Sequence, residues 1–383
     1  MSMKENEPLC LALGMGAIGK AVSGYAMTRA GVHVVFADID NAQIQTVNRD
    51  GGYWLGTADI YSKQVTKEFI TGVEALHVES PGAQKAAVRA TYLITAVGPR
   101  GFHALLPRVI GWLKARAAVS DAPLYYMVFE NDSGAMVQLH EAVDEAFGTC
   151  PSWLHLAKCS IERMTKVVNL PDVGTIALGE TYIPIIADQT AMTGCGIYDR
   201  TDLIEMVDDA QRYYYRKLLT TNLGHAVLSY FGYPKGYRNT LEAMADPEIY
   251  ELLRETLSES GKTVCKKWGF PEKHIEQLLD TLMLRLANPG LVDDLERLSR
   301  DPIRKISPDE RIILPIRLCY QYGIEPSGLL KTLHRAIWYT NPNVEGGQEL
   351  IDLRQSIGEE EILKTVCKAE GQLLKDALRV AKQ

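Results

Sequence analysis

Residues 8–38 read PLCLALGMGAIGKAVSGYAMTRAGVHVVFAD. The apolar run 8–13 reads as a strand and leads directly into Gly14-x-Gly16-x-x-Gly19. A helical stretch follows towards Gly31, a C-cap residue, and the β-rich run from His33 ends on Asp38. The first glycine permits a tight turn, the second lets backbone approach a pyrophosphate, and the third lets helix and strand pack closely. A helix N-terminus offers free N–H groups and a positive dipole end to the phosphates. Ala17 and Ile18, opening that helix, belong to the same cradle. An acid at the end of the second strand accepts both ribose hydroxyls and repels a 2′-phosphate, so Asp38 points to NAD rather than NADP. Glycines after a buried strand are also ordinary turn formers, and the immediate strand and the distance to Asp38 are what favour a dinucleotide.

Outward from that segment, residues 90–97 (ATYLITAV), 124–130 (LYYMVFE) and 153–159 (WLHLAKC) read as further strands with helical patterns between several of them. Strand, helix and strand in repetition imply a parallel sheet covered on both faces, with right-handed crossovers that gather the loops at the strand C-termini on one edge. Gly14–Gly19, Asp38, Ala96-Val97-Gly98 and Asn131 fall on that edge. After about residue 190 the texture changes, and from Asp202 nearly everything reads as helix. Breaks are expected at Gly232-Tyr-Pro234, Gly269-Phe-Pro271, Asn288-Pro-Gly290 and Ser307-Pro308. The expected architecture is an α/β Rossmann-type doubly wound sheet in residues 1–190 and a mainly α-helical substrate and catalytic domain in residues 191–383, with a cleft between them.

The 383 residues are 46% hydrophobic and 23% charged, with a formal net charge of −7. That balance belongs to a globular chain and offers no clustered Lys and Arg for a nucleic acid. No apolar stretch approaches the roughly 20 residues of a membrane span. The apolar part of the N-terminus is too short for a secretory signal. Seven scattered cysteines without metal spacing read as reduced thiols of a cytoplasmic protein.

Residues 216–230, RKLLTTNLGHAVLSY, read as one helix. At roughly 100° per residue, Lys217, Asn222 and His225 fall within an arc of about 140°, and Leu219, Leu223, Val227 and Tyr230 lie opposite. By pattern alone that polar face meets water or carries chemistry. The spacing Lys-x4-Asn-x2-His resembles the signature of the polyol-specific long-chain dehydrogenases. FADID at 36–40, TAVGP at 95–99, ENDSG at 130–134, NLGHA at 222–226 and NPGLVDDLERLSRDPIRKISPDER at 288–311 are similar to the mannitol-1-phosphate 5-dehydrogenase branch of that family.

The resemblance implies metal-free hydride transfer between a polyol or polyol phosphate and a ketose or ketose phosphate with NAD, most plainly mannitol 1-phosphate and fructose 6-phosphate. It assigns Lys217 as general acid and base, Asn222 and Asn131 as uncharged donors to the developing alkoxide, and His225 as the group orienting a substrate hydroxyl. A monomer is expected on the same ground. Asn131 is equally a good cap for a helix starting near Ser133. Relatives carry Asp-Arg where this chain has Glu162-Arg163, near the substrate, and an acid and a tryptophan where it has Pro184-Ile185. Arg304 and Lys305 are candidates for holding a phosphate, against a solvated helix start with interleaved acids. The alternatives are the same chemistry on an unphosphorylated polyol or sugar acid, and an NAD-binding protein without catalysis.

Overall fold

In this computed structural model residues 7–130, 134–181 and 183–380 are described. The chain divides into two compact units, Met1–Tyr213 and Tyr214–Gln383.

The first unit holds β1 (Leu9–Leu13), β2 (His33–Asp38), β3 (Tyr53–Ala58), β4 (Val65–Ile70), β5 (Val73–His77), β6 (Tyr92–Thr95), β7 (Leu124–Val128), β8 (Leu154–Ser160), β9 (Thr165–Leu170), β10 (Gly174–Glu180), β11 (Ile185–Asp188) and β12 (Ile204–Val207). Eight of them form a sheet in the order β12-β11-β8-β7-β6-β1-β2-β5. From β5 to β8 every pairing is parallel, while β11 turns antiparallel against β8. β1 and β7 are buried at every position. Their alternate residues feed two cores, with Cys10 and Ala12 on one face and Leu9, Leu11 and Leu13 on the other. A sheet buried on both faces reads as continuous apolar runs, which is how these strands stand out in the sequence. The remaining four strands form a separate sheet, β4-β3-β10-β9.

The structure corrects two expectations. Residues 204–207 are a strand pairing in parallel with β11, so the helical texture begins later than Asp202, and residues 191–213 go with the first unit. Residues 216–230 are two helices rather than one. The first, Ala210–Leu219, ends at Thr220, whose φ of −119° and ψ of −80° break the spiral, and the second runs Thr221–Gly232.

The second unit is helical apart from one isolated bridge between Asn239 and Asp294. Its longest helix, Pro247–Trp268, starts on an Asp246 cap whose carboxylate accepts the Glu248 and Ile249 N–H groups and stops at Gly269 with φ +71°. Thr221–Gly232 lies at the centre of this unit, with Leu223, Val227 and Tyr230 fully enclosed, as the apolar side of the pattern required.

Candidate active site

The parallel order places the loops after β1, β2 and β6 together at the strand C-termini. Gly14 adopts φ +94°, and its N–H donates to the Ala37 carbonyl at 2.9 Å. A Cβ there would stand 2.6 Å from the Ala96 carbonyl oxygen, and one on Gly19 only 2.1 Å from the Gly14 oxygen. Both glycines are therefore demanded by backbone packing. At Gly16 nothing beyond its own chain neighbours lies within 4 Å of that position. Protein packing therefore does not demand a glycine at this position, which lines the cavity described next.

A cavity of about 390 Å³ opens here, lined by Gly14, Gly16, Asp38, Ile39, Ala96, Val97 and Leu105 among others. Gly98 follows with φ +79° and begins the helix Gly98–Ala117, while Ala17 and Ile18 open the helix after the glycine turn. The Asp38 carboxylate is fixed by three backbone donors, with Oδ2 accepting Met15 N–H at 2.6 Å and Oδ1 accepting Ile39 and Asp40 N–H at 2.7 and 3.0 Å. An anion held at the rim of a glycine-lined cavity fits the ribose of NAD and disfavours a 2′-phosphate. Glu130, not singled out from sequence, is buried and accepts the Val97 N–H at 3.0 Å, tying the loop after β6 to the end of β7. Asn131, the next residue, lies outside the described residues.

In the second unit the break after Lys217 has identifiable supports. Thr220 Oγ1 donates to the Arg216 carbonyl at 2.7 Å, and Ser260 Oγ, from the helix Pro247–Trp268, donates to the Leu219 carbonyl at 2.6 Å. Carbonyls that lose helical partners at a break are thereby satisfied. Lys217 is half-buried in the last turn before it. Asn222 and His225 stand three residues apart on the unbroken helix beyond, and so share a face. Asn222 is only 6% exposed, so this face is not the solvated side of a surface helix.

His225 Nε2 is inaccessible and has no hydrogen-bond partner. Burial drives this imidazole from its usual 6.5 down to about 3; Asp293 pulls the other way, and Arg297, Arg285 and Arg311 add to the fall. His225 is thus neutral at physiological pH and suited to hydrogen bonding rather than to supplying charge. Asp293 is gripped by Arg297, Nε to Oδ1 at 2.7 Å and Nη2 to Oδ2, and its backbone is tied to Thr240 in both directions. Burial resists ionisation of Asp293, but its hydrogen bonds and charge pairing with Arg297 hold its carboxyl below the usual range. Nothing in DDLERL distinguishes Asp293 and Arg297 from an ordinary surface pair at i, i+4, and only the fold sets them beside His225.

The remaining candidates have definite employment. Arg304 donates to Glu310 at 2.7 Å and lies 3.5 Å from Asp301. Lys305 is 4% exposed, its Nζ donates to the Leu298 carbonyl, and burial followed by Arg311 and Arg304 pushes its pKa well below the ordinary lysine value. Glu162 and Arg163 are both buried in the first unit. The Arg163 guanidinium donates to the carbonyls of Ala21 and Glu180 and to Thr57 Oγ1. Among the described residues no cluster of three His, Cys, Asp or Glu could hold a metal, and no helix is long and apolar enough to cross a membrane.

A doubly wound sheet with a glycine turn and fixed acid, followed by a helical unit carrying Lys-x4-Asn-x2-His, defines a Rossmann-type dehydrogenase. A model of the mannitol dehydrogenase Rossmann domain matches residues 9–193 and one of the mannitol dehydrogenase C-terminal domain matches residues 209–378. The chain belongs to the mannitol dehydrogenase family. It is 28% identical to a mannitol-1-phosphate 5-dehydrogenase of Exiguobacterium sp. over 92% of this chain and 90% of that one. It is 30% identical to the enzyme of the same name from Paenarthrobacter aurescens over 89% of each. The solved structure of Pseudomonas fluorescens mannitol 2-dehydrogenase, a ternary complex with NAD and D-mannitol, shares the fold with a TM-score of 0.75 at 15% identity, over 98% of this chain and 90% of that one.

Proposed function

We propose that this enzyme interconverts mannitol 1-phosphate and fructose 6-phosphate, with Lys217 as the proton-transferring group. NAD supplies the hydride acceptor or donor. In the oxidative direction the Lys217 amine takes the proton of the secondary hydroxyl as its carbon loses hydride, and in reduction the ammonium returns it. The Asn222 carboxamide donates to the developing alkoxide without adding charge, with Asn131 as its expected counterpart. Neutral His225 orients a neighbouring hydroxyl, because an imidazole donates at one nitrogen and accepts at the other. The charges of Asp293 and Arg297 act on that ring in opposite senses, Asp293 favouring its protonation and Arg297 opposing it.

The observation that carries the reading is the buried face on which Asn222 and uncharged His225 stand just beyond the break after Lys217. The phosphate rests on the relatives, whose names specify mannitol 1-phosphate. Pairing of Arg304 with two carboxylates and burial of Lys305 favour a second reading, the same chemistry on an unphosphorylated polyol. NADH oxidation with fructose 6-phosphate and with fructose, in wild type and Lys217→Ala, separates them. The first reading expects activity on the phosphate alone, falling at least about 100-fold in the variant. Equal activity on fructose would overturn phosphate recognition, and undiminished activity in the variant would overturn the lysine role.

A further inference from the structure

The helix after the glycine turn is not regular. From Gly19 to Gly24 it is π-helical, and the Tyr25 N–H reaches five residues back to the Lys20 carbonyl. Such a turn inserts an extra residue and is uncommon, and it is frequent at functional sites. Two side chains outside the helix bond to carbonyls inside it. Tyr53 Oη donates to the Lys20 carbonyl at 2.7 Å, and the Arg163 guanidinium donates to that of Ala21. Tyr53 lies on β3, in the four-stranded sheet. Arg163 is bound to the same sheet, through the Glu180 carbonyl at 2.8 Å and Thr57 Oγ1 at 3.2 Å, and its guanidinium carbon lies 5.5 Å from the centre of the Tyr25 ring.

The fit is tight on both sides. A Cβ on Gly179 would stand 2.7 Å from Arg163 Nε, and one on Gly24 would stand 2.5 Å from the Tyr53 hydroxyl. Both glycines make room for the two donors.

We propose that Arg163 and Tyr53 are cofactor-positioning residues: they hold the π-turn that aims the first N–H groups of the helix at the NAD pyrophosphate, and the four-stranded sheet is the brace that carries them. Returning the turn to α geometry would take one residue out of it and rotate its N-terminal side by about 100° relative to its C-terminal side. The N-terminal side is not free to rotate, because Gly19 is pressed against Gly14. Without the two donors, the strain falls on the pyrophosphate cradle. This gives Arg163 a task remote from substrate recognition.

The test uses Arg163→Met, which keeps bulk and removes every donor, and Tyr53→Phe, which removes one oxygen. Binding of NADH, ADP-ribose and adenosine is measured by titration, and hydrogen exchange of residues 16–25 is followed in the cofactor-free protein. The two pyrophosphate ligands should weaken about 3- to 10-fold in each variant, the scale of losing one hydrogen bond, with adenosine unchanged and exchange in 16–25 accelerated. Unchanged NADH affinity in folded Tyr53→Phe would overturn the proposal, as would equal weakening of adenosine, which marks general loosening. Failure of wild type to bind NADH would instead refute the dinucleotide reading on which the proposal rests.

Discussion

His225 lends itself to a quantitative test. Its pKa is lowered on folding, from 6.5 to about 3, so the unfolded chain binds a proton below pH 6.5 that the folded chain refuses. The native state is therefore favoured above the unfolded value, and that advantage disappears as pH falls from 6.5 towards 3. Each pH unit within that window costs up to about 1.4 kcal/mol. Between pH 7.5 and pH 5.0 the loss comes to about 2 kcal/mol, nearly all of it below 6.5. Other groups titrate over the same range, so the useful quantity is a double difference. Urea unfolding of wild type and His225→Gln, followed through the transition of the helical unit, gives the stability of each at the two pH values. Wild type should lose about 2 kcal/mol more than the variant on acidification. Parallel losses would show that the imidazole protonates freely in the folded state and refute the assignment of a neutral, desolvated ring.

Gly16→Ala and Gly19→Ala should behave differently. The first meets nothing beyond its own chain neighbours and should leave the melting temperature unchanged while weakening NADH binding, whereas the second drives a Cβ against backbone and should cost about 1–3 kcal/mol of stability as well. Thermal melts with NADH titrations check both. On the phosphate reading, binding of fructose 6-phosphate should raise the Lys305 pKa and take up more protons than binding of fructose, which calorimetry in two buffers of different ionisation enthalpy would register.

The centre of the large sheet was legible because β1, β2, β6 and β7 are short apolar runs, nearly all buried, whereas β5, β11 and β12 at its margins went unread and β12 was taken for helix. The four-stranded sheet was not legible either. VTKEFI of β4 is exposed at four of six positions, and β9 is half-buried at best, so neither carries a strong apolar signal. The same opacity hid the π-turn, since GKAVSG looks like any helix start, and the donors that hold it come from Tyr53 and Arg163, distant in sequence. Lys217, Asn222 and His225 were visible as a spacing. The break between the first two was not, because no proline or glycine marks Thr220 and its support is Ser260, on a different helix. Arg297 was unread for a related reason: its charge bears on His225 only through the fold, and spacing along 288–311 cannot report that.

Charge compensation in the second unit explains the expected proton uptake. Arg304 is shared between Asp301 and Glu310, and Arg311 donates to Glu310 at 3.1 Å, so the two guanidiniums are matched by two carboxylates. Burial opposes ionisation of Glu310, but Arg311 and Arg304 hold it below the usual range, which keeps that matching intact at neutral pH. Lys305 is then the group that decides whether positive charge is left over. Burial and the two guanidiniums push its pKa well below the ordinary lysine value, so the unliganded cluster holds a positive charge there less readily than an exposed lysine would. A phosphate placed beside Lys305 reverses those terms, because an adjacent anion stabilises the ammonium and raises the pKa again. On the proposed reading, phosphate binding and protonation of Lys305 are linked and each promotes the other. A neutral polyol has no such effect on the amine. Recognition by this cluster would thus strengthen as pH falls, and Lys305→Met would remove that dependence while leaving fructose binding as it was.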